Sequence, residues 1–404
     1  MTLDLDFVRS QFPGLDSGWT FMDNAGGSLT LEGVADRVRD YLLHTNVQHG
    51  AGYEVSRQAG ERVARARSRV RELFGAAEDR EVVFGASTTV LLKFLARALR
   101  SQLGTGDEIV VTNVDHEANI GPWIELREQG VEVRFWNLDP ESLRLETEDL
   151  RKLLGEKTRL LCVTHTSNIL GSIEPIEEWA RLVHECGGMI CVDGVAHAPH
   201  RRLDVQRWNV DFYVFSLYKT YGPHLAALYG TAERLLELDN LYHFFVPREK
   251  IPSKLEPGNP CYELAYGCGG ITDYLEELGT RSGRGEDRLA SAFEAIAAHE
   301  EGLSERLLDL LRDRPRVRII GHDRADRSLR VPTISFVVEG RSSKEIVDRV
   351  DSHRIGTRFG DFYARRLIDD LGLAARDGVV RVSLVHYNTA DEVGRLVEVL
   401  DTVI

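Results

Sequence analysis

The segment DFYVFSLYKTYGP, residues 211–223, begins as an apolar run of high β propensity and ends in polar residues around Lys219. Gly222 and Pro223 then interrupt any regular element. The pattern predicts a buried strand followed by a loop that carries the lysine. Because α/β sheets bind ligands beyond the carboxyl ends of their strands, Lys219 is predicted to lie at such a site.

A second apolar run, residues 189–195, carries an acid, Asp193, near its end. Pyridoxal phosphate (PLP) requires such a pair, since a lysine holds its aldehyde as a Schiff base and a carboxylate keeps its pyridine nitrogen protonated. Each residue also has an ordinary interpretation, as a turn or cap residue for Asp193 and as a solvated charge for Lys219. The prediction of PLP therefore depends on further ligand-binding residues along the chain.

Composition excludes several classes of protein. The 404 residues suffice for a large domain plus a smaller one. A net charge of −14 argues against nucleic-acid binding, which needs a basic surface. No apolar run approaches the length of about 20 residues that spans a membrane, and the N-terminal residues lack the features of a signal peptide. We therefore expect a cytoplasmic protein without nucleic-acid or membrane partners.

The cysteine pattern argues against a disulfide framework and against a zinc site, because the count of five is odd and no pair is closely spaced. We predict no metal. Cys162 and Cys191 lie in apolar runs and are predicted to be inert core residues. Cys261 and Cys268 lie in a glycine-rich segment and are candidates for reactive thiols, provided that they are exposed and have a lowered pKa.

Further strand-turn-helix units surround these two runs. Ser87 and Thr88 follow the strand that begins at Val82 and precede an apolar helix. Small residues and hydroxyls before a helix N-terminus form a phosphate cradle, although either residue alone is equally typical of a simple helix cap. Strands alternating with helices at this spacing predict a parallel sheet. Its carboxyl edge is then expected to gather Ser87, His116, Asn168, Asp193 and Lys219.

The chain is predicted to divide into an N-terminal segment (1–20) that packs with the small domain, a large PLP-binding domain (21–275) and a small α+β domain (276–404). Residues 44–53 are polar and predict an active-site loop. A long helix is predicted from about 271 to 312, interrupted at 283–285. In the small domain Arg381 opens a strand, and its guanidinium suits a substrate carboxylate, with a surface ion pair as the alternative.

At this point the sequence resembles the class V, fold-type I PLP-dependent enzymes, and most closely their cysteine desulfurase-like branch. The motifs that carry the resemblance are FMDNAG at 21–26, DHEAN at 115–119, SNILG at 167–171, Asp193 with APH at 198–200, SLYKTYGP at 216–223 and RVSLVHYNT at 381–389. The correspondence covers nearly the whole chain. It implies the fold-type I architecture, in which a large domain with a mostly parallel sheet and crossover helices precedes a smaller α+β domain.

The resemblance also implies roles for individual residues. Lys219 corresponds to the Schiff-base lysine, Asp193 to the partner of the pyridine nitrogen and His116 to the residue stacked on the cofactor ring. The remaining matches are Asn168 for the ring oxygen, Ser87, Thr88 and Ser216 for the phosphate, and Arg381 for the α-carboxylate of a small amino-acid substrate. The family forms homodimers in which the neighbouring chain completes each site. Here Gly258, Asn259 and a glycine-rich turn near Gly270 are expected to supply that contact.

Three positions depart from the family pattern. Tyr218 precedes the lysine where the family commonly has histidine, and Ala196, followed by His197, replaces a common glutamine or histidine. The loop that carries the nucleophilic cysteine of true desulfurases falls at residues 354–364, which contain no cysteine. Desulfuration through an enzyme persulfide needs a thiolate near the substrate sulfur. The departures therefore argue against a persulfide-forming desulfurase.

The leading functional hypothesis is a PLP-dependent lyase that cleaves a bond at the β-carbon, with the C–S bond of cysteine or an S-substituted cysteine as the first case. The alternatives are an aminotransferase, an epimerase or a decarboxylase, because one fold supports all of these reactions, and a non-catalytic PLP-binding or partner-binding protein. His49, Tyr53, Arg57 and Arg358 are candidates for selecting the substrate side chain, on loop position alone.

Overall fold

The computed structural model describes residues 3–283 and 285–404. Its strands are β1 (Thr20–Phe21), β2 (Val82–Gly85), β3 (Glu108–Thr112), β4 (Glu132–Trp136), β5 (Thr158–Thr164), β6 (Met189–Asp193), β7 (Phe212–Ser216), β8 (Ala226–Gly230), β9 (Val317–Ile320), β10 (Thr333–Val338), β11 (Ile355–Gly356), β12 (Arg358–Gly360) and β13 (Val379–Ser383).

Its α-helices are α1 (Leu5–Ser10), α2 (Glu32–His44), α3 (Glu54–Phe74), α4 (Thr88–Leu99), α5 (Gly121–Ile124), α6 (Thr147–Leu153), α7 (Ile176–Glu185), α8 (Ala232–Glu237), α9 (Tyr262–Ser282), α10 (Arg288–Arg312), α11 (Ser343–Asp351), α12 (Arg365–Asp370) and α13 (Ala390–Asp401). The predicted interruption of the long helix includes Arg284, which lies outside the described residues.

The larger sheet has seven strands in the order β2-β8-β7-β6-β5-β3-β4. β3 to β7 pair in parallel, whereas β8 is antiparallel to both of its neighbours. Side chains of β7 alternate between two hydrophobic clusters, with Phe212 and Val214 in one and Tyr213 and Phe215 in the other. Burial on both faces explains the continuous apolar runs of the sequence. The predicted mostly parallel sheet is confirmed.

A second sheet is antiparallel, in the order β12-β13-β10-β9. The chain near its N-terminus contacts this sheet, because the amide of Ser383 in β13 donates to Met22 O (2.7 Å), while β1 pairs in parallel with β11 in a separate two-stranded sheet. Arg9 of α1 also donates to Tyr387 O. Helix α9 runs through positions 275 and 276 without a break, so the proposed division at that point stays a prediction about domains.

The predicted glycine-rich turn near Gly270 is wrong, because this segment lies inside α9. Gly267 and Gly270 face α2, and a Cβ at Gly267 would lie 2.6 Å from Val38 Cγ2 and 3.3 Å from Val34 O. A Cβ at Gly269 would lie 3.1 Å from Arg37 Nη1 and in ordinary contact with Ala66 of α3, 3.5 Å from its Cα. Close contact between helices, rather than a reversal of the chain, is what requires glycine here.

We expect Gly267→Ala to lower the free energy of unfolding by about 1–2 kcal/mol, because the cost of overpacking exceeds the gain in helix propensity. The matched control is Gly302→Ala in α10, where a built Cβ has no described atom within 4 Å. The free energy of unfolding of that control is expected to rise by about 0.5–1 kcal/mol. Denaturant unfolding of both variants tests the pair, and equal shifts would contradict the packing argument.

Candidate active site

Strand ends of the larger sheet converge on one cleft. All strands that contribute run in the same direction, so their carboxyl ends lie at one edge. Among the described residues, those lining the cleft are Ser87, Thr88, Thr89, His116, Ala118, Thr164, Thr166, Asn168, Asp193, Val195, Ala196, Ser216, Tyr218 and Lys219.

Lys219 ends a single helical turn, Leu217–Lys219, that follows β7 directly. Burial lowers the pKa of its amine to about 8, and the positive charge of Arg381 acts in the same direction. Tyr218 stacks on His224 with ring centroids 4.8 Å apart, and the Nζ of Lys219 lies 5.8 Å from the centre of the Tyr218 ring. The cleft therefore contains an amine that loses its proton more easily than an ordinary lysine.

Asp193 is the last residue of β6 and is buried. Burial raises the pKa of its carboxyl to about 6, while the Val195 amide, which donates to Oδ1 at 2.9 Å, and the charge of Lys219 oppose that shift. Because this pKa lies below 7, the group is mostly ionised at neutral pH. The cleft therefore holds a carboxylate that can pair with a protonated ring nitrogen.

His116 follows β3 and its Nδ1 accepts a hydrogen bond from the Ala118 amide at 3.0 Å. Burial lowers the pKa of the imidazole to about 4, and the charges of Lys219 and Arg381 lower it further. The ring is therefore neutral near pH 7, and the acceptor role of Nδ1 assigns its proton to Nε2. A neutral flat ring at this position suits stacking against an aromatic ligand.

The first turn of α4 forms one end of the cleft. The Ser87 hydroxyl caps this helix by accepting from the Val90 amide at 3.3 Å, so the capping alternative holds for that residue. Thr88 and Ser216 share a hydrogen bond between their hydroxyl oxygens at 2.8 Å. The helix N-terminus and these hydroxyls together provide donors that suit a phosphate.

Arg381 lies in β13 and only 2% of its side chain is exposed, so the alternative of a surface ion pair is wrong. Its Nη2 donates to Asp23 Oδ1 at 2.8 Å, its Nη1 donates to Asn168 O at 3.3 Å, and its guanidinium lies 3.7 Å from the centre of the Phe362 ring. Its Nε is buried without a hydrogen-bond partner among the described residues. Neither Asp23 nor Phe362 was predicted from the sequence as a contact of Arg381.

His49, Tyr53 and Arg57, predicted to select the substrate, and Gly258 and Asn259, predicted to bind the cofactor, are not among the described residues that line the cleft. His49 Nε2 and Tyr41 Oη share a hydrogen bond of 2.7 Å. The His49 ring also stacks on the Tyr262 ring, with the two ring centroids 3.7 Å apart. Tyr53 is exposed at the start of α3, and Gly258 and Asn259 form a left-handed turn shortly before α9. Arg57 is an exposed residue of α3 and donates to Gly52 O.

Arg358 is close to the substrate side of the cleft although it does not line it. Its Nη1 lies 3.9 Å from Asp23 Oδ2, and its charge contributes to the lowered pKa of Lys219. Asp23 therefore lies between the guanidinium groups of Arg358 and Arg381. Two cations near one side of the cleft are consistent with an anionic group on the substrate.

The predicted chemistry of the cysteines differs between the two pairs. Cys162 and Cys191 are buried in the sheet, as predicted. The expectation of a reactive thiol in the glycine-rich segment is not supported, because burial raises the pKa of Cys261 to about 11 and raises that of the fully buried Cys268 as well. None of the described residues that line the cleft is a cysteine.

The structure adds supporting residues that the sequence analysis did not assign. Asp115 is buried next to the cleft, accepts from Asn119 Nδ2 at 2.6 Å, and has its pKa raised to about 8 by burial. His197 stacks on His165, with centroids 3.6 Å apart, and its Nδ1 shares a hydrogen bond with Thr166 Oγ1 at 3.0 Å. Asp115 belongs to the DHEAN motif and His197 was named as the residue after Ala196, but sequence spacing alone does not show that their side chains lie beside the cleft.

The lowered pKa of Lys219 has a measurable consequence in the protein freed of cofactor. Competitive acetylation with a small amine reagent is expected to label Lys219 with a half-maximal rate at about pH 8, because only the neutral amine reacts. The exposed Lys152, whose pKa Asp149 raises, is the internal control and should titrate well above that pH. Equal pH profiles for the two lysines would contradict the assignment.

Fold-type I PLP-dependent enzymes are built on this plan, and the comparison with solved structures confirms that fold for this chain. A cysteine desulfurase from Thermococcus onnurineus superposes with a TM-score of 0.89 at 26% identity, covering 100% of this chain and 98% of that one. The family model for class-V aminotransferases matches residues 20–396, and the chain belongs to that family. Members use PLP, act on amino acids and are typically dimers.

Two fungal relatives match this chain along its whole length. The aminotransferase-like protein FGM3 of Gibberella zeae is 42% identical over 411 residues, which span 100% of this chain and 99% of that protein. The cysteine desulfurase-like protein ustD of Aspergillus flavus is 35% identical, across 100% and 91% of the two chains. The predictions of a cysteine desulfurase-like, PLP-dependent enzyme are confirmed, and the non-catalytic alternative is set aside.

Within residues 3–283 and 285–404, no helix combines the length and the apolar character that crossing a membrane requires.

Proposed function

We propose that the protein is a lyase that cleaves a bond at the β-carbon of a small L-amino acid, with the C–S bond of cysteine or an S-substituted cysteine as the leading case. The observation that supports this proposal is the buried Lys219, whose amine has a pKa of about 8, in a cleft whose described lining contains no thiol. Such a site can move protons at the substrate, but it offers no sulfur nucleophile.

The donor set of the cleft fits PLP, which we propose as the cofactor. Asp193 would pair with the pyridine nitrogen, His116 would stack on the ring, and Lys219 would hold the aldehyde. Thr88, Ser216 and the first turn of α4 would hold the phosphate, since hydroxyls and free amides are its usual donors. Ser87 would contribute through the helix that it caps, and Asn168 through the ring oxygen.

PLP, when bound, supplies an electron sink conjugated to the substrate α-carbon. The chain's own residues supply the rest. Arg381 would orient the substrate by its carboxylate, which fixes the bond to be broken relative to the ring. Lys219 Nζ, once released by the substrate, would accept the α-proton, and its lowered pKa keeps the neutral base populated near physiological pH. The ionised Asp193 keeps the positive charge at the ring nitrogen.

Loss of the β-substituent would complete the reaction without an enzyme cysteine. The Cα–H and Cβ–S bonds break, the proton passes to Lys219 and the sulfur leaves with the bonding electrons. With water, the three-carbon remainder becomes pyruvate and ammonia. A persulfide route would instead need a thiolate at residues 354–364, where the sequence has none.

We further propose that the active form is a homodimer in which each chain completes the site of the other. His49 stacks on Tyr262, the first residue of α9, and neither it nor Gly258 or Asn259, which precede α9, is among the described residues that line this chain's own cleft. An apolar groove that includes Val34, Val38, Leu42, Leu43 and Leu264 lies at the same end of α2 and α9. Both features support a second copy at this surface. The cytoplasmic location expected from the sequence stays a prediction.

A product assay tests the lyase proposal. The purified holoenzyme is incubated with cysteine, S-substituted cysteines and a panel of other amino acids, and sulfide or thiol, pyruvate, ammonia, CO₂ and keto acids are measured. Pyruvate, ammonia and sulfide or thiol in equal amounts, without sulfur bound to the protein, are expected. A keto acid that retains the substrate skeleton would identify an aminotransferase instead, CO₂ a decarboxylase, and racemised substrate an epimerase.

A further inference from the structure

The aromatic turn, defined as residues 361–364 between β12 and α12, has an unusual backbone. Phe362 and Tyr363 are consecutive residues with φ of 50° and 61°, in the left-handed region that side chains disfavour. Such strain persists only where the surroundings hold it in place, and it is concentrated at functional sites. The strained backbone therefore makes this turn a candidate functional segment.

Hydrogen bonds fasten the aromatic turn to loops that carry cleft residues. Phe362 O accepts from Asn168 Nδ2 at 2.9 Å, and Tyr363 O accepts from the Glu117 amide at 2.8 Å. The Tyr363 amide itself donates to Asp361 Oδ1 at 3.0 Å. Asn168 follows β5, and Glu117 is the neighbour of His116 after β3. The turn is thus fixed against two adjacent strand ends of the larger sheet.

The two aromatic rings lie beside the groups that face the substrate. The centre of the Phe362 ring lies 3.7 Å from the guanidinium carbon of Arg381, so the ring covers one face of that group and leaves its edge for a carboxylate. The Tyr363 ring is 5.1 Å from the His116 ring. Burial and then the charge of Asp193 raise the pKa of Tyr218, and Tyr363 adds to that shift. Tyr363 is 68% exposed and its ring adjoins that of His116, which lines the cleft, so Tyr363 lies at the mouth of the cleft.

We propose that the aromatic turn determines substrate specificity: Tyr363 limits the length of the substrate side chain at the mouth of the cleft, and Phe362 fixes the plane of Arg381. The site would then take α-amino acids with short side chains. This inference takes one element from the proposed function, namely that the amino acid binds between Arg381 and Lys219. It assigns Tyr363 and Phe362 as positioning and specificity residues, with no role in moving protons.

Binding of unreactive probes to the holoenzyme tests the inference. 2-Aminoisobutyrate and α-methylphenylalanine share a carboxylate and an amine, lack an α-proton, and differ in side-chain size. Calorimetry gives their dissociation constants. The native protein is expected to favour the small probe. Tyr363→Ala should improve binding of the large probe by about 10-fold or more while leaving the small probe unchanged, because only the space at the mouth increases.

Phe362→Leu keeps apolar volume but removes the flat ring under the guanidinium. We expect Phe362→Leu to raise the dissociation constants of both probes by a common factor of about 3–10, since both depend on the same carboxylate contact. Phe244→Ala is the control, because Phe244 is 97% exposed and belongs to a different segment. It should change neither dissociation constant. The exposure of Tyr363 also means that its replacement removes little packing from the folded protein.

The outcomes separate the two proposals. If Tyr363→Ala leaves the ratio of the two dissociation constants unchanged, the turn does not limit side-chain size and the inference is refuted, even though the enzyme binds amino acids. Unchanged affinities in Phe362→Leu refute the role of Phe362. If neither probe binds the native holoenzyme, the placement of an amino acid between Arg381 and Lys219 fails, and the proposed function fails with it.

Discussion

Replacement of Lys219 by alanine is expected to reduce turnover by about 10⁴-fold, because the substitution removes both the covalent attachment and the general base. The visible absorption of bound cofactor should be lost or shifted in the same variant. The fold is expected to persist: the lowered pKa of Lys219 means that its charge opposes folding, so removal does not cost a stabilising interaction. Steady-state kinetics, an absorption spectrum and a thermal melt measure these three effects.

Lys254→Met is the matched control for this prediction. Lys254 is also a buried lysine with a lowered pKa, but its Nζ donates to Leu236 O at 3.0 Å and to Leu238 O at 2.7 Å, outside the cleft. The Lys254→Met variant should have a lower free energy of unfolding, since two carbonyls lose their donor. Its turnover per folded molecule should be unchanged. A Lys219→Ala protein that kept both its spectrum and its activity would refute the assignment of the active-site lysine.

Replacement of Arg381 by lysine is expected to raise KM by about 10- to 100-fold with a smaller change in kcat, because lysine keeps the charge but loses the planar fork that binds a carboxylate at its edge. The cofactor spectrum should be retained, since the contacts of Arg381 in this chain are Asp23, Asn168 O and Phe362. Titration of the variant with the substrate identified by the product assay gives both constants.

The control for Arg381 is Arg330→Lys, because Arg330 is equally buried but bonds main-chain carbonyls such as Val331 O, 3.2 Å from its Nε. We expect this control to melt at a lower temperature with an unchanged KM. If Arg381→Lys instead leaves KM unchanged, another residue holds the carboxylate. Arg358, which lies on the other side of Asp23, is then the first candidate.

Local patterns were enough to predict most of the larger sheet and the edge that carries Lys219, Asp193 and His116, because buried parallel strands leave continuous apolar runs that stop where polar side chains begin. Strand β8 was not predicted. Its sequence AALYG contains no β-branched residue, and only pairing between β2 and β7 makes it a strand. The prediction of a turn near Gly270 failed for a related reason. The glycines of α9 pack against α2 and α3, and this packing cannot be seen from their neighbours in sequence.

The contacts around Arg381 could not be predicted from local sequence. Asp23 is 358 positions away from Arg381 in the chain, and Phe362 reaches the guanidinium because a strained turn aims it there. Periodicity and turn propensity say nothing about such pairs. Likewise, His49 was predicted as a site residue from its loop position and Gly258 and Asn259 from the resemblance, and none of the three is among the described residues that line this chain's cleft.

The pairing of β1 with β11, and of Met22 with Ser383, also bears on how the molecule is made. The ribosome releases residues 20–24 early, yet their partners at 355–356 and 383 are synthesised more than 330 residues later. At roughly 5–20 residues per second, the early segment waits on the order of 20–70 s. During that interval the larger sheet can form, but the Asp23–Arg381 pair cannot. Binding of an amino acid is therefore expected to be the last property that a nascent chain acquires.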